Sequence, residues 1–369
     1  MVYAMMSIGI LGFIVWSCVM ASPYSDIRNL INLAICWNSL VLINTLKGKS
    51  LISYTQSADN MSLNSLEDSK HSVSETMRET SFIFSAFRAY FNTLFKNSDY
   101  LTDDWLTWFI GFAEGDGAIQ TYSEGKRVRF VLTQKESAIL CNIQRKLNIG
   151  VVRHFPQGKS GKNNDFYRWM VDYPSHILLL AFLFNGNLAL NNRIKQLALW
   201  INALNNRFGS DTIKLNNTPV SITLHDAWLS GFTDAEGCFN VSVTANTRYT
   251  LGHVIKMRYL LVGSALQKDS VILNKICELF GSGKVTLRSG TDNVYRYTAT
   301  GFKPLNDVIL YFKLFPLYTK KAISIEKWCT VHNLVSNKLH LTEEGLVQVR
   351  ILQKQINLNN SITNKTGAA

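Results

Sequence analysis

Four blocks of this chain recur in the same order, and that recurrence limits the folds open to it more than any other feature. Gln134-Lys135-Glu136-Ser137-Ala138-Ile139-Leu140 returns as Gln267-Lys268-Asp269-Ser270-Val271-Ile272-Leu273, 133 residues later. Tyr167-Arg168-Trp169 returns as Tyr295-Arg296-Tyr297, and Trp200 as Trp328, each 128 residues on. Upstream, residues 109–117 (FIGFAEGDG) return as 229–237 (LSGFTDAEG) after 120 residues. A kept order with drifting offsets is a duplication with loop insertions. The working part of the chain is therefore two copies of one unit.

Each copy carries the same pattern. An apolar helix comes first (104–116; 226–236), opened by Asp and stopped by Gly117 or Gly237 as left-handed caps. Alternating strands follow, 118–122 with 127–132 and 238–244 with 255–262. A helix begins near Glu136 or Asp269, and two further strands include 166–171 or 294–300. One closing apolar helix then ends beyond Trp200 or Trp328. The expectation is an α+β fold of two αββαββα repeats, 99–204 and 225–345. A linker over 205–224 joins them, and a helix end with a polar tail occupies 346–369.

Charge separates this part from the rest. The chain of 369 residues carries 38 Lys/Arg against 26 Asp/Glu, a formal +12. Residues 1–99 hold seven of each sign, so the whole excess lies downstream, as expected of a polyanion-binding module behind an unrelated extension. Six cysteines show no C-x-x-C pair and seven histidines no H-x₃₋₅-H pair, which argues against a structural zinc site or a disulfide framework.

Both motif helices are apolar nearly all round and so should be buried. Gly111 and Gly115 share one face, as do Gly231 and Ala235. Small residues four apart let two helix backbones approach closely. Each helix delivers a carboxylate, Asp116 or Glu236, just before its terminal glycine. Packed side by side, the helices bring these acids together, which is costly unless cations neutralise them. Oxygen ligands favour a hard divalent ion, Mg²⁺ first, with Mn²⁺ as another candidate.

With these residues the chain resembles the LAGLIDADG homing endonucleases in their single-chain form, over about residues 100–350. The likeness includes the Q-K-E/D blocks and the closing P-L-x-T-K-K segment at 316–321. The resemblance implies a pseudo-twofold saddle whose sheets lie in the DNA major groove, and metal-assisted hydrolysis of one phosphodiester on each strand. It makes Asp116 and Glu236 the metal-binding acids, with the carbonyls of Gly115 and Ala235 as further ligands. Glu114 and Asp234 match a motif position that more often makes helix-end contacts. Gln134 and Gln267 match a residue that orders active-site water, and Lys321 the basic residue that polarises water or steadies the transition state. The repeat partner of Lys321 is Arg193, with Lys195 as the alternative. Arginine stays charged, so only electrostatic support survives at that position.

DNA reading falls to the strand faces. Gln120 and Tyr122 share one parity, as do Arg127 and Arg129, then Asn240, Ser242 and Thr244, and Lys256 and Arg258. Val128, Phe130, Leu132, Val241 and Val243 take the opposite, helix-covered face. Arg168, Arg288 and Arg296 complete the expected DNA contacts.

The N-terminal quarter reads differently. Residues 1–21 carry no charge and suffice to span a bilayer, which needs about 20 apolar residues. No basic segment precedes them, so a signal peptide fits poorly. A second apolar stretch, 30–46, is interrupted by Asn32, Asn38 and Asn44, and 50–80 reads as a linker. Residues 1–17 resemble a transmembrane stretch of cytochrome oxidase subunit I, and the likeness stops abruptly after Ser17. That implies an exon remnant read through into a mitochondrial intron, so residues 1–98 form an apolar, partly disordered extension. The leading expectation is a monomeric, mitochondrial double-strand DNA endonuclease that promotes intron mobility. The alternatives are an RNA maturase bound to its host intron RNA, alone or as a second activity, and a membrane-associated protein held by residues 1–21.

Overall fold

A computed structural model describes residues 82–125, 127–156, 165–209, 212–249, 251–263, 270–291 and 294–363. The expectations for residues 1–81, and Gln267, lie outside these described residues. Among the described residues no helix is long and apolar enough to cross a membrane.

The duplication expected from the sequence is present. Helix α1 (Ser85–Phe95) precedes the first repeat. That repeat comprises α2 (Asp103–Asp116), β1 (Gly117–Tyr122), β2 (Arg127–Gln134), α3 (Ser137–Leu147), β3 (Val151–Phe155), β4 (Phe166–Val171), α4 (Pro174–Phe184) and α5 (Asn191–Phe208). The second has α6 (Trp228–Glu236), β5 (Gly237–Ala245), β6 (His253–Val262), α7 (Val271–Phe280), β7 (Lys284–Leu287), β8 (Tyr295–Thr300), α8 (Phe302–Leu314) and α9 (Lys321–Ser336). Helix α10 (Glu343–Thr363) follows. Each repeat builds one antiparallel four-stranded sheet, in the order β1-β2-β4-β3 and β5-β6-β8-β7.

Three expectations need correction. Each repeat ends in two helices, not one. In the first, Asn185-Gly186-Asn187 breaks the apolar run, with Gly186 at φ +80° and the Asn187 amide folded back onto the carbonyl of Leu183. In the second, Pro316 follows α8 and ends it. Nor are Gly117 and Gly237 left-handed caps. Their φ angles are −78° and −89°, and the chain passes directly from helix into strand. Glycine is needed there for space: a Cβ on Gly117 would fall 2.3 Å from the carbonyl of Ala113, and one on Gly237 2.4 Å from the Thr233 methyl.

The helix starts also differ slightly. Thr102, not an Asp, caps α2 by accepting from the Trp105 N–H, while Asp226 accepts the N–H of Trp228 just ahead of α6.

The inner faces of both sheets carry the core. Phe130, Leu132, Trp169, Phe239, Val241, Tyr259 and Tyr297 are fully buried beneath the helices. Trp200 and Trp328, the repeated tryptophans, each donate an indole N–H to a first-strand carbonyl, Gln120 (2.9 Å) and Asn240 (3.2 Å). They lock the closing helix of each repeat to the strand that presents the outer face. The core also extends upstream of the repeats. Phe87 and Phe91, one turn apart on α1, are fully buried, and Asn187 exchanges two hydrogen bonds with the backbone of Ile83.

Candidate active site

Helices α2 and α6 pack along the faces where the sequence puts small residues. A Cβ on Gly111 would lie 2.0 Å from the carbonyl oxygen of Trp228, and one on Gly115 2.2 Å from the Cβ of Ala235. The helix backbones are therefore in contact, and the last turns of both helices, one from each repeat, come together.

Acidic side chains at the two motif positions do different work. Glu114 and Asp234 are the structural pair. Glu114 accepts the N–H groups of Ala189 and Leu190, just ahead of α5, and the indole N–H of Trp228 at 2.6 Å. Asp234 accepts the N–H groups of Tyr318 and Thr319, the Thr319 hydroxyl, and the indole N–H of Trp108 at 2.8 Å. Each motif helix thus donates a tryptophan to the acid of the other. Burial pushes the Glu114 carboxyl up to about 7, against the opposing pull of Leu190, Ala189, Trp228 and Arg193. Asp234 is also raised by burial.

Asp116 and Glu236, at the final helical positions, face one another electrostatically. Burial first and the nearby Asp116 charge second push Glu236 up to about 8, against the opposing pull of Lys321 and Arg193. Asp116 is raised by burial and held down by Lys321, by a hydrogen bond from the Gln134 amide (2.5 Å), and by Arg193. Gln134, expected to order water, is in direct contact with the acid.

The basic partners sit on the helix ends. The Lys321 ammonium donates to the carbonyls of Thr233 (3.1 Å), Asp234 (2.8 Å) and Ala235 (2.9 Å). Arg193, 5% exposed, donates Nε to the carbonyl of Glu114 (2.9 Å) and Nη2 to that of Gly115 (3.2 Å). Each cation binds carbonyls at the negative, C-terminal end of one motif helix. The two are equivalent under the repeat, and Lys195 is exposed. Burial lowers the Arg193 pKa, while Glu114, Glu236 and Asp116 raise it.

Among the described residues no group of three or more His, Cys, Asp and Glu side chains could hold a metal. Two carboxylates held together at raised pKa nonetheless fit a hard divalent ion. Such an ion is commonly bound by one or two carboxylates, with waters and substrate phosphates completing its shell. The carbonyls of Gly115 and Ala235 already accept from Arg193 and Lys321, and a carbonyl oxygen has a second lone pair.

The strand parity read from the sequence holds. Gln120 lies opposite Arg129 and Tyr122 opposite Arg127, while Asn240 faces Arg258 and Ser242 faces Lys256. These side chains, with Thr244, Arg168 and Arg296, share the outer faces of the two sheets. Arg129 is ion-paired with Asp172, and Arg288 is exposed just beyond β7. Sequence reasoning missed Arg153, which lies directly opposite Arg168 on the same outer face. The alternation within residues 151–155 would have placed it there.

Comparison with known proteins agrees with this architecture. Residues 229–332 match the family model described as LAGLIDADG endonuclease. The "Probable intron-encoded endonuclease 4" of Neurospora crassa is 35% identical over 268 residues, covering 72% of this chain and 46% of that protein. The chain therefore spans about half the length of that relative. The "Uncharacterized cox1 intron-2 37.2 kDa protein" of Schizosaccharomyces pombe is 23% identical over 249 residues, covering 66% of this chain and 70% of its own. Among solved structures, the meganuclease I-SmaMI bound to uncleaveable DNA superimposes with a TM-score of 0.56. It is 18% identical and covers 69% of this chain and 98% of its own.

Proposed function

We propose that the chain is a LAGLIDADG endonuclease, cutting double-stranded DNA at a specific site and requiring a divalent cation, Mg²⁺ or Mn²⁺. One observation carries the reading. Asp116 and Glu236, one from each repeat, converge where two motif helices end, buried and beside two basic side chains. That arrangement gives two hydrolytic centres related by the duplication, one for each strand of a duplex.

The chain's own groups divide the work. The outer sheet faces, with Lys256, Arg127 and Arg258 among their cations, hold the duplex by phosphate and base contacts. Asp116 and Glu236 would hold the cation together with the carbonyls of Gly115 and Ala235. When bound, it lowers the pKa of water and stabilises the charge of phosphate and leaving oxygen. Gln134, fixed to Asp116, orients water on the first side. Lys321 and Arg193 keep positive charge beside the acids and so oppose the negative charge that grows on the phosphate.

The reading extends to an intron-encoded, mitochondrial protein from a cytochrome oxidase subunit I gene. It is supported by the likeness of residues 1–17 to that subunit and by the name of the Schizosaccharomyces relative. The names of the relatives speak for an endonuclease over an RNA maturase. The test is incubation of the full chain with intronless exon-junction DNA and Mg²⁺. Cleavage of both strands is expected, with Asp116→Asn and Glu236→Gln losing cleavage and keeping binding. Intact DNA, with tight binding to the intron RNA instead, would overturn the reading.

A further inference from the structure

On the outer face of the first sheet, Phe155 and Phe166 form a cross-strand pair whose rings stack, with centroids 5.3 Å apart and planes within 7°. The next pair on that face is Arg153 opposite Arg168. The Arg168 guanidinium lies over both rings, 4.9 Å from the centroid of Phe166 and 5.0 Å from that of Phe155. Its Nε is buried without a hydrogen-bond partner, and among the described residues no ion pair holds the group. Arg129 on the same face, by contrast, is tied to Asp172.

This arrangement is unfavourable for the protein alone. Like charges directly opposite on a ladder repel, and a buried donor without an acceptor costs free energy. Both costs are offset by a ligand that brings acceptors to the guanidinium. Contact with both rings holds the guanidinium in place. A planar fork of fixed orientation matches two coplanar acceptors, and in the major groove the O6 and N7 of guanine present that pair. Because the platform holds the side chain beforehand, less rotamer freedom is lost on binding.

The second sheet repeats the arginine without the platform. Arg296, the counterpart of Arg168, also has a buried, unpartnered Nε. Thr286 stands opposite it where Arg153 stands opposite Arg168. One step further along, Arg288 and Val294 are joined by a backbone hydrogen bond at the positions held by Phe155 and Phe166 in the first sheet. The two sheets thus carry the same residue type on different supports.

Resting on the endonuclease reading above, we propose that Arg168, laid on Phe155 and Phe166, reads one guanine at a fixed position of the DNA half-site under the first repeat, and does so more stringently than Arg296 reads its own position. The experiment is selection of a randomised duplex DNA library by the full chain in metal-free buffer, followed by binding titrations on the selected sequence and its single-base-pair variants. The wild-type protein should enrich guanine at that position and discriminate there by about 10- to 100-fold. Arg168→Lys, which keeps the charge, should lose that preference alone, leaving the other positions, the salt dependence and the melting temperature in place. Phe155→Leu should keep guanine as the favoured base and lower its discrimination several-fold. Arg168→Lys weakening all sequences alike, or keeping the guanine preference, would overturn base reading by Arg168. An unchanged Phe155→Leu profile would overturn the role of the platform. Failure of the wild-type chain to select any sequence would instead bring down the endonuclease reading, and this proposal with it.

Discussion

Gly231 lies so close beneath Trp108 that a Cβ placed on it would fall 1.8 Å from the Trp108 carbonyl oxygen. The opposed atom is backbone, so no side-chain rotation relieves the clash. The counterpart contact, Gly111 against the carbonyl of Trp228, closes the same interface from the other repeat. Even one added methyl must push α6 away from α2, and with it Glu236 from Asp116. Gly231→Ala is expected to destabilise the fold by about 3 kcal/mol or more and to abolish DNA cleavage. Melting temperature and cleavage assays check both effects, and a variant that melts and cuts like the wild type would refute the close packing.

The crossed tryptophans make a second, milder prediction. Trp228→Phe keeps a six-membered aromatic ring but loses the pyrrole part of the indole and with it the N–H that reaches Glu114, leaving that buried acid with its backbone donors Ala189 and Leu190. A loss of about 1–3 kcal/mol follows, measured by denaturant unfolding. Cleavage should persist wherever the variant is folded, because Glu114 holds the preceding loop of α5 and is not one of the two terminal acids. A large loss of turnover without a loss of stability would assign Glu114 to the chemistry instead.

How much of this was open to the sequence depends on whether a constraint is local or recurs. The motif helices, the acids and the strand faces were legible because the duplication states each of them twice. The pairing of Trp108 with Asp234 was not, since it joins residues 126 apart and leaves no spacing pattern. A glycine after a helix suggests a turn, whereas Gly117 and Gly237 make room for Phe130 and Thr233. The break between α4 and α5 had a signal in Asn185-Gly186-Asn187 that the continuous leucine run hid. Helix α1 was lost among the Ser- and Asn-rich residues before it, although Phe87, Phe91 and Phe95 recur at helical spacing.

That helix also sets where the chain can be shortened. Phe87 and Phe91 are buried to 0% exposure, and Arg88 donates to the carbonyls of Ser98 and Leu101 and pairs with Asp103 at the start of α2. Burying a side chain of that size contributes about 1.5–3 kcal/mol. Deletion of residues 1–98 should therefore cost several kcal/mol relative to deletion of residues 1–80, seen as a much lower urea midpoint. Equal midpoints for the two truncations would show that α1 contributes nothing.

The unequal cations give a third functional test. Lys321 donates to three carbonyls and Arg193 to two carbonyls and Gln196, so the two sides hold their charge differently. Lys321→Ala removes the cation that most strongly favours ionised Glu236 and is expected to slow cleavage by about 100-fold or more, the scale of losing one charge-stabilising donor. Arg193→Ala should lower stability as well, since it uncaps a buried helix end. Strand-specifically labelled DNA should show the two strands cut at unequal rates, and equal rates in the wild type and in both variants would count against the assignment.

The titration of the buried acids fixes the direction of the pH dependence. Burial lifts Glu236 from 4.5 to about 8 and Glu114 from 4.5 to about 7. The folded protein therefore keeps protons that the unfolded chain releases over that range. Stability from this source is fully present below about pH 4.5 and is lost as the pH rises through 7 and 8, at up to about 1.4 kcal/mol per group per pH unit. In metal-free buffer the urea midpoint should fall from pH 5 toward pH 8, and Glu236→Gln should flatten the upper part of the decline. Added Mg²⁺ should restore the midpoint of the wild type at pH 8, since a cation favours the ionised acids, and should do so far less in Glu236→Gln. A wild-type midpoint that rises over this range would contradict the buried, proton-holding state of the pair.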